Sequence, residues 1–213
     1  MKRGGRKEYH GRVTLRNVRI LTRQSLSFYR DVTSPAAVNV EEALDGTLNL
    51  YAKQIEVQEI TVTKQYQSDG AAINSYTGEI RQLFSTLLVN TIEVVLKGVR
   101  FTLRISKSRD WRRKPALYGL RVTVSDSGCG IPAHHIDRLF EPFFTTKGKN
   151  GTGLGLWVAR GIVSRLGGSI SMRSRVRPDE ESGTCFSIVF QTRRRRAGFS
   201  LLDEAVHKPG WME

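Results

Sequence analysis

Apolar positions along the chain alternate between helical and strand spacing. Residues 12–30 place Val13, Val18, Leu21, Ser25 and Phe28 near one stripe, with arginines opposite, which predicts a helix. Pro35 stops anything helical before it. Val40 to Ala52 reads as a second helix, with Glu41 and Glu42 suited to its first turn. Glu56 to Gln65 is rich in β-branched residues and reads as a strand. Gly78 to Leu96 is a long helical pattern with Leu83, Leu87, Asn90 and Val94 on related faces. Phe101 to Ser106 and Gly119 to Ser125 read as strands joined by a hairpin connection. A glycine-rich turn, a short helix around His134 to Leu139 and a flexible stretch from Thr145 to Gly153 follow. Gly155 to Leu166 is helical and ends at Gly167-Gly168, a C-terminal glycine signal. Ser169 to Ser174 and Thr184 to Gln191 close the pattern as two strands able to pair.

This order predicts an α/β (α+β) two-layer sandwich: a mixed β-sheet covered by helices on one face. Residues 12–30 fall outside that unit and call for a helical partner. With 213 residues and 39% hydrophobic content, the chain has enough material for one good core. No run approaches the ~18 apolar residues of a membrane span, and no apolar stretch follows the basic N-terminus as a secretory signal requires. Cys129 and Cys185 have no metal-ligand spacing and read as reduced thiols of a cytoplasmic protein. The net charge of +14 raises the question of nucleic acid. The basic residues are spread along the chain, however, and no aromatic side chains alternate with them as a stacking platform. A solvated surface that attracts anionic nucleotides fits better, and no specific nucleic-acid partner is expected.

Three segments carry candidate chemistry. In Val124 to Pro132 a strand delivers Asp126 to a turn containing Gly128 and Gly130. A carboxylate there can accept a hydrogen bond from the adenine amine, and glycines let the backbone approach a ring. The alternative is an ordinary Asp-Ser-Gly turn. In Gly148 to Leu156 a glycine loop opens a helix, whose free N–H groups and dipole suit phosphates. It is not a P-loop, since no GK[ST] ends it, and the alternative is a flexible linker. In Glu79 to Val95, Asn90 is polar on an otherwise apolar helix. Its carbonyl oxygen suits Mg²⁺, or else it is satisfied by backbone.

Taken jointly, these segments resemble the superfamily that groups gyrase, Hsp90, histidine kinases and mismatch-repair proteins. Nearly the whole chain is similar to sensor histidine kinases. RQLFSTLLVNTIEVV resembles the asparagine box and DSGCGIP the first glycine box. RLFEPFFTTK, Arg138 to Lys147, resembles the phenylalanine box, and GTGLGLWVARGIVSRLGGSISMRS the second glycine box. SGTCFSIVF, Ser182 to Phe190, resembles the closing strand, and Ile20 to Asp31 the second dimerisation helix.

The resemblance implies the Bergerat ATP-binding fold, preceded by a dimerisation helix, with ATP and Mg²⁺ as cofactors. It implies a protein-histidine kinase that transfers the γ-phosphoryl of ATP to a histidine. Asn90 takes the catalytic and metal role, as the Mg²⁺ ligand. Asp126 binds the adenine amine, Gly128 and Gly130 shape the pocket, and Ile131 packs on the base. Gly151, Thr152, Gly153 and Gly155 form the lid hinge and phosphate contact, with Leu154 and Leu156 as its anchors. Thr184 supports Asp126 through water. Phe143 and Phe144 are lid residues or ordinary core. Lys147 reaches a phosphate or is simply solvated. Implied boundaries are 1–34 for the remnant of a dimerisation hairpin, 35–192 for the ATP-binding domain and 193–213 for a basic, disordered tail.

The chain departs from the family pattern at Thr86, Thr91 and Val94 of the asparagine box. Thr86 stands where hydrolytic relatives carry the glutamate that activates water, so hydrolysis of the gyrase or Hsp90 kind is disfavoured. None of the four histidines is placed as phosphoacceptor. The expectation is either a truncated kinase, inactive alone, or a chain that phosphorylates a histidine-bearing helix of an intact kinase. Expected partners are a second copy through the N-terminal helix and a response regulator receiver domain. The alternative is a degenerate, non-catalytic dimerisation or regulatory module.

Overall fold

The computed structural model describes residues 34–93, 97–110, 117–148, 151–176 and 182–191. The expected dimerisation helix and the basic tail lie outside the described residues.

The first described strand, β1 (Ala36–Asn39), runs into helix α1 (Val40–Leu50). Asn39 caps that helix: its Oδ1 accepts from the N–H groups of Glu41 (3.0 Å) and Glu42 (3.3 Å), and its amide donates to Glu42 Oε1. Two otherwise orphaned donors are satisfied, worth about 1 kcal/mol over alanine. Val40, Ala43, Leu44, Thr47 and Leu48 fall on one buried stripe.

Helix α2 (Ala52–Val57) occupies part of the stretch read from sequence as the start of a strand. It ends in a Schellman turn. Glu59 is left-handed (φ 56), Ile60 N–H reaches Ile55 O at 3.0 Å, and Glu59 N–H reaches Glu56 O at 2.9 Å. A glutamate at the left-handed position gives no sequence signal. The strand, β2 (Thr61–Gln67), begins only after this turn. A short β3 (Ala72–Ser75), not anticipated from the pattern, pairs antiparallel with β1, which the pattern also missed.

Helix α3 (Thr77–Ile92) is the central helix. Ile80, Leu83, Phe84, Leu87, Leu88, Thr91 and Ile92 form its buried face, and it packs against α1 and α5 (Gly155–Arg165). Thr91, one of the departures from the family pattern, is buried with its hydroxyl donating to Leu87 O at 3.1 Å, so its polar atom is satisfied.

Strands β4 (Arg100–Asp110) and β5 (Leu117–Asp126), β6 (Ser169–Arg175) and β7 (Gly183–Gln191) complete the main sheet. Its order is β2-β4-β5-β7-β6, with β2 parallel to β4 and every other pair antiparallel. This is the expected mixed sheet. Period-two alternation puts Phe101, Leu103, Ile105, Leu120, Val122, Val124, Phe186, Ile188 and Phe190 on the helix-covered face, all buried. The other face exposes Arg104, Arg121 and Arg173. Among the described residues between β5 and α5 lies one short helix, α4 (Ala133–Ile136). The end of α5 agrees with the glycine signal: Gly167 is left-handed (φ +68) and Gly168 N–H reaches Val163 O at 2.9 Å.

Candidate functional site

Strand β5 ends at Asp126, whose register partner on β7 is Thr184. Asp126 Oδ1 accepts from Gly128 N–H at 2.9 Å and from Thr184 N–H at 3.3 Å. Both bonds fall on one oxygen, leaving the other available to a ligand. Burial pushes the carboxyl above the ordinary carboxylate range, and the two amide donors pull it partly back. Thr184 therefore supports Asp126 directly through its backbone N–H.

The hydroxyl of Thr184 instead meets Ser174 Oγ at 3.1 Å. Ser174 accepts from Ile131 N–H at 2.7 Å and bonds Gly183 O at 3.0 Å, while Ser182 Oγ donates to Gly128 O at 2.7 Å. The turn from Gly128 to Ile131 is thus stitched to the ends of β6 and β7. Gly130 has φ +72, and a Cβ on it would overlap the carbonyl oxygen of Arg175. A cavity of about 520 Å³ opens beside this turn, with Asp126, Ile136, Ser174 and Thr184 among its walls. Gly128, Gly130 and Ile131 shape the turn but do not line the cavity, and neither does Asn90. Ser174 and Ser182 escaped the sequence reading, because isolated serines at strand ends carry no pattern.

A second cluster gathers where α3 meets the glycine-rich loop. Asn90 lies one helical turn beyond Thr86 on α3. Gly155 opens α5 so close to α3 that a Cβ on it would lie 3.1 Å from Thr86 Cγ2. Lys147 Nζ donates to Asn90 Oδ1 at 3.3 Å and pairs with Glu93 Oε2 at 2.7 Å. Lys147 is therefore engaged rather than simply solvated, and Glu93 is a member of this cluster that the sequence reading left out.

The loop folds against the phenylalanine segment. Gly153 (φ +65) abuts the backbone of Phe143, Gly151 abuts Thr145, and Leu154 N–H lies 3.4 Å from Thr152 Oγ1. Leu154 is buried and Leu156 packs against the core. Phe143 is left-handed (φ 67) and 64% exposed, which removes ordinary core packing as its explanation. Phe144 sits between His135 (5.5 Å) and the Arg138 guanidinium (4.5 Å).

Among the described residues no group of three or more His, Cys, Asp or Glu side chains could hold a metal. The fit to Mg²⁺ rests on oxygen donors instead. Asn90 Oδ1 already faces one cation, the Lys147 ammonium, and is a hard ligand of the kind Mg²⁺ takes together with water and phosphate.

A mixed sheet roofed by helices on one face, with a strand-end carboxylate and a glycine-opened helix along it, defines the two-layer sandwich of the ATPase and kinase class. The chain belongs to the family described as histidine kinase-, DNA gyrase B- and HSP90-like ATPase, whose pattern matches residues 76–194. It is 33% identical to sensor kinase CckA of Brucella abortus (strain 2308) over 79% of its length and 18% of the relative's. It is 31% identical to sporulation kinase A of Bacillus subtilis (strain 168) over 72% of its length and 23% of that protein's. The chain therefore spans less than a quarter of either relative. Among solved structures, the catalytic domain of histidine kinase ThkA superposes with a TM-score of 0.62 at 26% identity, covering 75% of this chain and 96% of that one.

Proposed function

We propose that this chain binds ATP with Mg²⁺ as the catalytic domain of a two-component sensor histidine kinase and passes the γ-phosphoryl to a histidine on another chain. The observation that carries this reading is Asp126, half-buried at a strand end, pinned by two backbone amides on one oxygen and facing a cavity of about 520 Å³. The free oxygen accepts from the adenine amine. Gly128, Gly130 and Ile131 hold the turn that shapes this end, and Thr184 fixes the carboxylate.

At the other end, Asn90 offers its carbonyl oxygen to the metal and Lys147 offers its ammonium to the phosphates. Backbone N–H groups of Gly151, Thr152, Gly153 and Gly155 close over the phosphate chain, held down by Leu154 and Leu156. Bound Mg²⁺ neutralises the triphosphate. These groups orient the γ-phosphorus for in-line attack and exclude water. An imidazole nitrogen supplies the electron pair for the new P–N bond, the bond to the ADP oxygen breaks, and ADP departs. Thr86 has no group able to deprotonate water, which favours transfer over hydrolysis. The N-terminal segment pairs two copies, a response regulator receiver domain accepts the phosphoryl group next, and the reaction runs in the cytoplasm.

Radiolabelled ATP tests the transfer. The chain alone stays unlabelled; added with a histidine-bearing helical hairpin, that hairpin gains a label stable in base and lost in acid. Base-stable label on this chain alone, or no label on any such hairpin, contradicts the reading.

One observation favours a second reading, a non-catalytic regulatory module. The Thr86 methyl stands against Gly155, where kinases of this type commonly place an amide beside the nucleotide. Nucleotide titration separates the two. Micromolar, Mg²⁺-dependent binding supports the kinase, and millimolar or absent binding supports the module.

A further inference from the structure

We propose that Glu93 is a positioning residue that latches Lys147 against Asn90 when no nucleotide is bound, so that loading the site requires the lysine to pass from this carboxylate to phosphate. The proposal rests on the nucleotide-binding reading above.

Glu93 is the residue that ends α3, and its neighbours in the last turn include no basic side chain. A carboxylate at a helix C-terminus meets the negative end of the helix dipole and gains from a counter-ion. Lys147 supplies it, 54 residues further along the chain, at 2.7 Å. The lysine side chain is 24% exposed, so the pair is partly sheltered from solvent. The same ammonium lies 3.3 Å from Asn90 Oδ1. One carbonyl oxygen is thereby occupied by a fixed cation where the function needs a divalent one. Mg²⁺ would bind that oxygen at about 2.1 Å. An ammonium already 3.3 Å from the oxygen would then face it at close range, and like charges so close repel strongly. The two cations exclude each other there.

The latch also organises the chain that follows. Lys147 N–H donates to Thr145 Oγ1 at 3.1 Å, and Gly151 packs against the Thr145 side chain. Holding the ammonium on α3 therefore holds the base of the glycine loop. A triphosphate offers the lysine more negative charge than Glu93 does and draws it away. Loss of the Glu93 contact then frees the loop base as the phosphates arrive, and occupancy is coupled to loop position through a single side chain.

Glu93→Gln keeps the length and hydrogen-bonding reach and removes the charge. With Mg²⁺ and a non-hydrolysable ATP analogue, this variant should bind about two- to five-fold more tightly than the unaltered chain, the range expected for losing a partly exposed ion pair that opposes binding. Amide exchange of residues 145–148 and 151–153 in the nucleotide-free variant should quicken. Lys147→Gln should weaken binding, and adding Glu93→Gln to it should change nothing further. Weaker Mg²⁺-dependent binding by Glu93→Gln, with Mg²⁺-free binding unaltered, would assign the carboxylate to the metal and overturn the latch, as would unchanged affinity or additive effects in the double variant. Failure of the unaltered chain to bind nucleotide would instead sink the function proposed above. The amide-exchange comparison, which uses no nucleotide, would still test the latch.

Discussion

Gly130 and Arg175 meet backbone to backbone, with the carbonyl oxygen of Arg175 in the space a Cβ on Gly130 would need. The positive φ of Gly130 (+72) adds a second restriction on the same residue. Any L side chain there must both adopt a left-handed conformation and push β6 away from the turn. Gly130→Ala is expected to destabilise the fold by about 2–4 kcal/mol, the conformational cost plus the overlap. It should also displace Ile131, whose N–H is held by Ser174. Urea denaturation beside nucleotide titration checks both effects; a variant as stable as the unaltered chain contradicts the packing described.

Asp126→Asn preserves the shape and the oxygen that accepts from Gly128 and Thr184. It replaces the other oxygen with a donor that cannot pair with the adenine amine. Affinity for adenine nucleotides should fall roughly 10- to 100-fold, the loss of a charge-assisted hydrogen bond, with little change in fold stability.

The raised pKa of Asp126 has two consequences of opposite sense. Its folded-state value lies above the unfolded one because burial disfavours the charge. The stability it contributes is therefore present below the unfolded carboxylate pKa and is lost as pH rises through the folded value. In the proposed role the ionised carboxylate accepts from the adenine amine, so affinity should fall as pH drops through that raised value. The decline should begin above the pH at which an ordinary carboxylate titrates. Calorimetric titration across pH, with Asp126→Asn as reference, isolates this dependence; identical pH profiles for the two proteins would contradict it.

Asn90→Ala removes the carbonyl oxygen assigned to the metal while leaving the adenine end intact. Addition of Mg²⁺ should then improve nucleotide binding far less than in the unaltered chain, while Mg²⁺-free binding changes little. Equal Mg²⁺ enhancement in both proteins would move the metal elsewhere.

Ser174→Ala tests a residue that no motif announces. Its hydroxyl joins Ile131 N–H, Gly183 O and Thr184 Oγ1. Its loss should cost about 1–3 kcal/mol, since partners in a half-buried place lose their bonds. Thermal unfolding measures this, and a melting point unchanged by the substitution would show that water replaces the hydroxyl.

The sequence made the sandwich readable where periodicity was strong. The alternation in Phe101 to Ser106 and Thr184 to Gln191, and the stripe through Leu83 and Leu87, all describe a one-sided core that the structure reproduces. It misled where a turn depended on a residue with no turn preference. Glu59 takes the left-handed conformation that usually marks glycine, so the end of α2, Glu56 and Val57, was taken for the beginning of a strand. Strands β1 and β3, four residues each, are too short for alternation to register. Asp126, Asn90 and the glycine loop were legible because their residue types are unusual in their local setting. Glu93, Ser174 and Ser182 were not, because their roles depend on partners at least nine residues distant in the chain.

The two ends of the site are built on different kinds of support. The Gly128 to Ile131 turn is fastened to neighbouring strands, whereas the Gly151 to Gly155 loop leans on Phe143, Thr145 and Thr86. The first inherits the rigidity of the sheet and the second can move without disturbing it. In the proposed role, the edge that would meet the base is thus preset by the sheet, and any rearrangement on nucleotide loading is expected on the side of the glycine loop.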